Sequence, residues 1–241
     1  MKNLNYLNKL KKEKEKGEKR GQEHINALTN LFMELEILGG KIRVLSKEAI
    51  NGTINNNLAK AEKSLKSAEQ GVVKFDADFS RAKKVLGEAL LTAGFRAGYI
   101  QSISGQMHSM EKDFSSAREE FFEAKILYAY IKSGGEISAM EDSPFVDFET
   151  YSGALSDFCG ELLRKARLDI THDKSAVDNL ENYYNETQRT YQLLSHFSFS
   201  NKSGIRSKVE NLKSYIKNFE DLFYDLKLSR GKRAEAKDEK M

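Results

Sequence analysis

The sequence predicts an all-α protein, and three observations support this fold class. The 241 residues include a single proline, Pro144, so long helices can run without interruption. No segment shows the sustained alternation of apolar and polar residues, or the richness in Val, Ile and Thr, that is typical of strands. The charged fraction of 31% is high and the apolar fraction of 39% is modest. This balance fits long charged helices around a narrow core.

Composition also limits the compartment and the class of partner. The N-terminus has no apolar segment of the secretory type, and no run of about 18 apolar residues is present, so we expect neither a signal peptide nor a membrane contact. Cys159 is the only cysteine, which excludes an intramolecular disulfide. We expect a cytoplasmic protein. A net charge of +3 permits a nucleic-acid partner without requiring one.

The chain divides into three regions by charge and periodicity. Residues 1–22 are predicted to form a basic N-terminal arm or helix extension, residues 23–231 a helical domain, and residues 232–241 a charged, disordered tail. The domain opens with the helical pattern of "NLFMELEILGGKIRVLSKEAI" and "NNNLAKAEKSLKSAEQ". Gly39–Gly40 and Asn51–Gly52 are expected kinks or breaks within it.

Five further helical patterns follow along the chain. The first two are "DFSRAKKVLGEALLTAGFRAGYI" and "SSAREEFFEAKILYAYIKS", where Ser116 and Glu119 have the spacing of a capping box and Gly134–Gly135 end the helix. After the loop that holds Pro144, Asp147 or Thr150 is expected to cap the next helix. The last three patterns are "YSGALSDFCGELLRKARL", "SAVDNLENYYNETQRTYQLLSHF" and "GIRSKVENLKSYIKNFEDLFYDLKLS".

Two glutamates stand inside one of the most apolar helical segments, "REEFFEAKILYAYI". At about 100° per residue, Glu120 and Glu123 share a face with Ala124 and Leu127. Carboxylates on a buried face lose solvation and repel each other, so a cation is expected to meet them. The alternative is that the first turns are exposed and burial begins only after Ala124.

A second acidic pair, Asp157 and Glu161, lies in "LSDFCGELLRKAR" at a spacing of one helical turn. The opposite stripe is apolar and is expected to face the core. By itself this pair fits an ordinary solvated face, and Arg164 and Lys165 then serve as ion-pair partners. Together with Glu120 and Glu123, it would make an oxygen-only site of the kind that suits Mg²⁺ or Mn²⁺ and activates water for phosphodiester hydrolysis.

Other catalytic sites find little support in the sequence. A di-iron site needs Glu-x-x-His, and none of the four histidines has a glutamate three positions earlier. Cys159 shows no pairing of the Cys–His nucleophile type and is expected to be a small core residue. No glycine-rich phosphate loop is present.

Two of these segments resemble the translin superfamily, and within it the Trax-like branch. "REEFFEAKILYAYIKSGGEIS" resembles the Glu-x-x-Glu helix of that branch, and "TYSGALSDFCGELLR" resembles its Asp-x-x-Gly-Glu-Leu segment. "LSKEAI" and the segment ending at residue 231 are similar to the first and last helices of the family, so the resemblance covers roughly residues 40–231. Two positions depart from the family pattern: the family usually has Asp or another residue where Thr150 stands, and its Gly is shifted here, with Ala154 in its place and Gly153 beside it.

The resemblance implies a protomer of six to seven helices that assembles into a closed oligomer, often an octamer, with RNA inside. A partner chain of the translin type is an alternative to a homo-oligomer. The Trax branch is a metal-dependent endoribonuclease acting on single-stranded RNA. Carried over by position, the metal ligands and catalytic residues are Glu120, Glu123, Asp157 and Glu161, with Mg²⁺ or Mn²⁺ as cofactor.

Basic residues near these acids are predicted to contact RNA phosphates. They are Arg118, Lys125, Arg164, Lys165, Arg167 and Arg206, with Lys202 and Lys208 as further candidates. Two other functions stay open. One is a translin-like oligomer that binds single-stranded nucleic acid without catalysis, and the other is a helical interaction protein.

Overall fold

A computed structural model confirms the all-α fold class. It describes the backbone of residues 2–92, 97–135, 147–172, 177–199 and 204–238, and the side chains of most of them. These ranges contain six α-helices and no strand. The helices are α1 (Lys2–Ile54), α2 (Leu58–Thr92), α3 (Ala97–Ser133), α4 (Phe148–His172), α5 (Val177–Ser195) and α6 (Ile205–Asp238). None of them combines the length and the apolarity that a membrane span requires.

The first three helices are longer than the sequence patterns predicted. α1 continues through Gly39–Gly40 and Asn51–Gly52 without a break. It ends only at Ile54, and the side chain of Asn57 then accepts the backbone N–H of Lys60 at 3.2 Å and caps α2. A glycine lowers helix stability by about 1 kcal/mol but, unlike proline, leaves the hydrogen-bond ladder intact. The predicted breaks are therefore wrong.

The predicted start of α3 is also wrong. Ser116 and Glu119 lie well inside α3, so they do not form a capping box. The predicted end is confirmed, because Gly134 and Gly135 have φ of 80° and 111° and the Gly135 N–H bonds to the carbonyl of Tyr130 at 2.9 Å.

The cap of α4 follows the sequence prediction. Asp147 Oδ1 accepts the backbone N–H of Thr150 at 2.8 Å, so Asp147 is the cap. The loop around Pro144 and the residue Lys202 lie outside the described residues. The backbone is helical through Asp238, where the sequence analysis expected a disordered tail.

The chain separates into two compact units. The first comprises Met1–Leu45 and Lys66–Arg118. Its core contains apolar residues of α1 that recur every seven positions, Leu28, Leu35 and Ile42. Here the rings of Phe75 and Phe114 stack with their centroids 3.5 Å apart.

The second unit comprises Ser46–Leu65 and Glu119–Met241, and it contains all four predicted acids. Helices α4, α5 and α6 pack against one another here. Large side chains fill its core, among them Phe122, Tyr130, Phe158 and Phe219. Burying each of them contributes about 1.5–3 kcal/mol, which fixes the positions of α3 and α4 and so of the acids that they carry.

Candidate metal and nucleic-acid site

The α3 glutamates belong to the buried part of their helix. Phe121, Phe122 and Ala124 are buried around them, and Glu123 itself is 8% exposed. Burial therefore begins before Ala124, and the alternative of exposed first turns is wrong for Glu123. The apolar residues of α3 pack this segment into the core, and the carboxylate of Glu123 is therefore buried with them.

The α4 acids lie on the opposite side of their helix from the core. Cys159 and Leu162 are completely buried, as the sequence predicted, while Asp157 and Glu161 are partly exposed. The alternative of an ordinary solvated helix face is therefore only partly correct for Asp157 and Glu161, because both carboxylates line a cleft.

One cleft of about 1100 Å³ brings the four predicted acids together. Glu120 and Glu123 come from α3, and Asp157 and Glu161 from α4. The rest of the lining comes from three elements: the end of α1 and the turn after it (Lys47, Ile50, Asn51, Asn55), further residues of α4 (Gly160, Leu163, Arg164, Arg167, Leu168), and Tyr215 of α6. Helical spacing predicted that each pair shares one side of its helix, and the family resemblance implied that the two pairs form one site. In the observed rotamers, no three acid, His or Cys side chains of the described residues are gathered closely enough to hold a metal ion.

Lys208 and Glu119 lie beside this cleft, and the sequence did not indicate that they meet there. The ammonium group of Lys208 on α6 lies 2.5 Å from Glu119 Oε1 and 2.5 Å from Asp157 Oδ2. Lys208 appeared there only as an RNA-binding candidate, and Glu119 only as a cap. Residues 51 and 89 positions apart meet here through tertiary packing, which no local spacing rule predicts.

The remaining acids of the cleft are paired unequally. Arg164 donates to Glu161 at 3.1 Å and to Asn51 Oδ1 at 2.6 Å. Lys47 lies 3.7 Å from Glu120 Oε2, and that oxygen is buried without a hydrogen-bond partner in the described structure. Glu123 has no hydrogen bond or ion pair to any described side chain.

The crowding of acids in the cleft changes the pKa of Glu123. Burial first, and then the charges of Asp157, Glu161 and Glu120, raise the pKa of Glu123 from 4.5 to about 8, although the charge of Lys208 opposes the shift. At neutral pH its carboxyl group therefore carries a proton when no cation is bound. Burial also raises the pKa of Glu161, and Arg164 opposes that shift.

Two glycines of α4 allow the neighbouring helices to come close. A Cβ atom at Gly153 would lie 1.9 Å from Glu119 Oε2, and one at Gly160 would lie 3.2 Å from the Tyr215 hydroxyl oxygen. The small residues of the sequence "YSGALSDFCGE" therefore make room for a carboxylate and a phenol at the edge of the cleft.

The sequence profile of the translin family matches residues 53–230. The chain belongs to the translin family. A comparison with curated proteins gave no match.

Solved structures of two proteins, NeC3PO and AfC3PO, have the same fold. The crystal structure of apo-NeC3PO superposes with a TM-score of 0.68 at 18% identity, covering 85% of this chain and 94% of that chain. AfC3PO matches with a TM-score of 0.64, and its complex with duplex RNA with 0.60. Both of these matches have 18% identity and cover 88% of this chain and 97% of the other. At this identity the likeness shows the fold.

Two of the cations predicted to bind RNA lie in the cleft of this translin-family chain. Arg164 and Arg167 both line it on α4. Arg206 is exposed near the start of α6, and Lys125 is half-buried with its ammonium group 5.7 Å from the ring centre of Phe121. Arg164 and Arg167 are therefore the cations best placed to meet a ligand of the acids.

Arg118 and Lys165 lie in positions that do not suit the predicted RNA contact. Lys165 is 3% exposed and bonded to Asp169. Arg118 is 19% exposed, pairs with Asp76 and covers the ring of Phe114 at 4.5 Å. A buried, paired cation cannot reach a phosphate without breaking its pair. We therefore leave both out of the candidate site.

The donor set of the cleft fits a hard divalent cation. All the acidic atoms are carboxylate oxygens, the ligand type that Mg²⁺ and Mn²⁺ prefer. Glu120 Oε2 is a buried oxygen without a hydrogen bond in the described structure, and Glu123 is a buried carboxyl group whose pKa the charge of Lys208 lowers less than burial raises it. Both are groups that a bound cation would satisfy.

Proposed function

We propose that this chain is a Trax-like, Mg²⁺-dependent or Mn²⁺-dependent endoribonuclease that cleaves single-stranded RNA. One observation carries the proposal: Glu120, Glu123, Asp157 and Glu161 line a single cleft, and Glu123 is buried there. Buried carboxylates without a partner destabilise a fold, so such a group is more often functional than structural.

The four carboxylates would hold the ion, which supplies a water nucleophile and neutralises the charge that develops on the phosphate. Glu123 must release its proton before its oxygens can coordinate. Glu161 is oriented by Arg164, whose second bond goes to Asn51. Hydrolysis forms a bond from water oxygen to phosphorus and breaks the bond to one ribose oxygen.

The cleft arginines would position the RNA strand. Arg167 is exposed at the rim, and Arg164 is partly exposed beside Glu161. Phosphate contacts of this kind give affinity without base specificity, and stacking on an aromatic ring such as that of Tyr215 would favour a single strand. AfC3PO, which has the same fold, has been solved with duplex RNA, and this supports a nucleic-acid ligand for the present chain.

The second candidate is a translin-like oligomer that binds nucleic acid without cleaving it. Its support is the contact of Lys208 with Asp157 and Glu119. A resident lysine already neutralises part of the acid cluster, and the observed rotamers do not gather three acids into a metal-binding group in the described structure. If the chain binds nucleic acid without cleaving it, the cleft is a polar part of the RNA-binding surface and holds no metal.

Asp157→Asn separates the two functions. The change keeps the shape and removes one coordinating charge, so we expect Mg²⁺-dependent cleavage of an internally labelled single-stranded RNA to fall at least about 100-fold. The affinity for RNA should hold or rise, because one negative charge near the phosphates is removed. Cleavage is measured with excess Mg²⁺ and with EDTA, and affinity by anisotropy in EDTA.

Arg167→Ala is the complementary variant and Arg81→Ala, an exposed arginine of the other unit, is its control. Arg167→Ala should weaken binding and lower the slope of log affinity against log salt by about 1, whereas the control should not. If Asp157→Asn cleaves as fast as the parent chain, the hydrolytic function is wrong and the binding function replaces it.

A further inference from the structure

Lys208 occupies the acid cluster in a way that no other described cation does. Its Nζ atom lies 2.5 Å from a carboxylate oxygen of α3 and 2.5 Å from one of α4. The side chain is 29% exposed, so these contacts are only partly screened by water. It therefore ties Glu119 and Asp157 together from a third helix.

Two cations that line the cleft, Lys47 and Arg164, each pair with a different acid. Lys47 lies 3.7 Å from Glu120, and Arg164 lies 3.1 Å from Glu161. Both are more exposed than Lys208, with 66% and 48% of their side-chain surface accessible. Lys208 is thus the least exposed of the three and the one that contacts Asp157.

We infer that Lys208 is a positioning residue that competes with the divalent cation for Asp157. The inference rests on the proposed function, because it requires Asp157 to be a metal ligand. Oδ2 of Asp157 accepts a hydrogen bond from the ammonium group, so a metal that binds this oxygen must share it with Lys208 or displace Lys208. Two cations at ligand distance from one carboxylate also repel each other. Lys208 therefore lowers the affinity for the metal while it stabilises the metal-free acid cluster.

Lys208 has a second carboxylate partner, Glu119, besides Asp157. When Asp157 turns to a metal, the lysine keeps its bond to Glu119 Oε1. Gly153 holds that carboxylate at the surface of α4, since even a Cβ atom there would collide with it. Glu119 thus gives the displaced lysine a charged partner without being a ligand itself.

The test is direct binding of Mn²⁺, measured at one pH by electron paramagnetic resonance with no RNA present. Lys208→Met should bind Mn²⁺ about 10-fold more tightly than the parent chain, and Lys208→Gln should behave in the same way. Lys208→Arg keeps the charge and should stay within about threefold. Lys213→Met removes a lysine of the same helix that pairs with Glu210 outside the cluster, and should not change the affinity.

The outcomes distinguish the inference from the proposed function. Equal or weaker Mn²⁺ binding by both neutral Lys208 variants, with helical content unchanged, overturns the competition. If Asp157→Asn binds Mn²⁺ like the parent chain, the metal site itself is misplaced. If the parent chain binds no Mn²⁺, the neutral Lys208 variants should acquire binding. Their failure to do so would overturn both proposals.

Discussion

The burial of Glu123 connects the sequence pattern of α3 with the proposed chemistry of the cleft. The hydrophobic segment around it forces α3 into the core, and the same burial leaves its carboxyl group protonated near neutral pH. The charge of Lys208 offsets this burial only in part, so the position of Glu123 is explained by a ligand more readily than by stability.

Glu123 also predicts how the stability of the metal-free protein depends on pH. Its pKa is near 4.5 in the unfolded chain and about 8 in the folded chain, so the folded state binds the proton more tightly. The free energy of unfolding should therefore fall as the pH rises from about 5 to 8, and this part of the fall should be missing in Glu123→Gln.

The measurement is the melting temperature in EDTA at pH 6 and pH 8. The parent chain should lose more stability than Glu123→Gln over this interval, and added Mg²⁺ should reduce the difference. Glu119 and Glu161, whose pKa values are also raised by burial, contribute a common background to both proteins. Parallel losses in the two proteins would mean that Glu123 is ionised in the metal-free fold.

Residue-level prediction from sequence succeeded where the relevant neighbours are local. The spacing of Glu120 and Glu123, and of Asp157 and Glu161, correctly placed each pair on one side of its helix. Lys165 was assigned to RNA although Asp169, one helical turn later, was visible in the sequence as its ion-pair partner. The contacts of Lys208 join helices far apart in the chain and follow only from the tertiary fold.

At the scale of elements, the contact between α3 and α4 depends on Gly153. Gly153→Ala should lower the free energy of unfolding by about 1–3 kcal/mol, because the new methyl group overlaps the Glu119 carboxylate and must displace it. Displacing the Glu119 carboxylate should also weaken its contact with Lys208.

Gly105→Ala on α3 is the matched control for this change. A Cβ atom there meets nothing within 4 Å, so the substitution should stabilise the helix by up to about 1 kcal/mol. Urea denaturation followed by circular dichroism compares the two variants. A Gly153→Ala protein as stable as the parent would show that α3 and α4 are not held by this close approach.

The elements themselves were predictable in type but not in extent. Hydrophobic periodicity and the scarcity of proline identified a helical chain. They gave no means of deciding that α2 and α3 run for 35 and 37 residues, since isolated glycines weaken a helix without ending it. The glycine pair at 134–135 and the cap at Asp147 were predicted correctly, because both act through local backbone geometry.

At the scale of the whole molecule, exposed apolar residues on α1 support assembly into an oligomer. Met33, Ile37 and Val44 are 58%, 71% and 57% exposed, and their spacing places them on one side of the helix. A stripe of this kind is expected to be covered by another chain. The described structure is of one chain, so assembly stays a prediction.

Ile37→Glu should therefore reduce the mass of the particle measured by light scattering at micromolar concentration and physiological salt. The exposed polar position Lys41 on the same helix provides a control through Lys41→Gln, which should leave the mass unchanged. A monomeric parent chain would contradict the closed oligomer that the family resemblance implies.

The central claim is that the acids of one cleft bind a divalent cation, and anomalous diffraction from crystals soaked in Mn²⁺ tests it most directly. We predict an anomalous peak about 2.0–2.6 Å from carboxylate oxygens of at least two of Glu120, Glu123, Asp157 and Glu161, the range for hard cations. The Lys208 ammonium should have left Asp157 Oδ2 in the same map. Crystals in which Mn²⁺ occupies other positions while Lys208 still bridges Asp157 and Glu119 would contradict the claim.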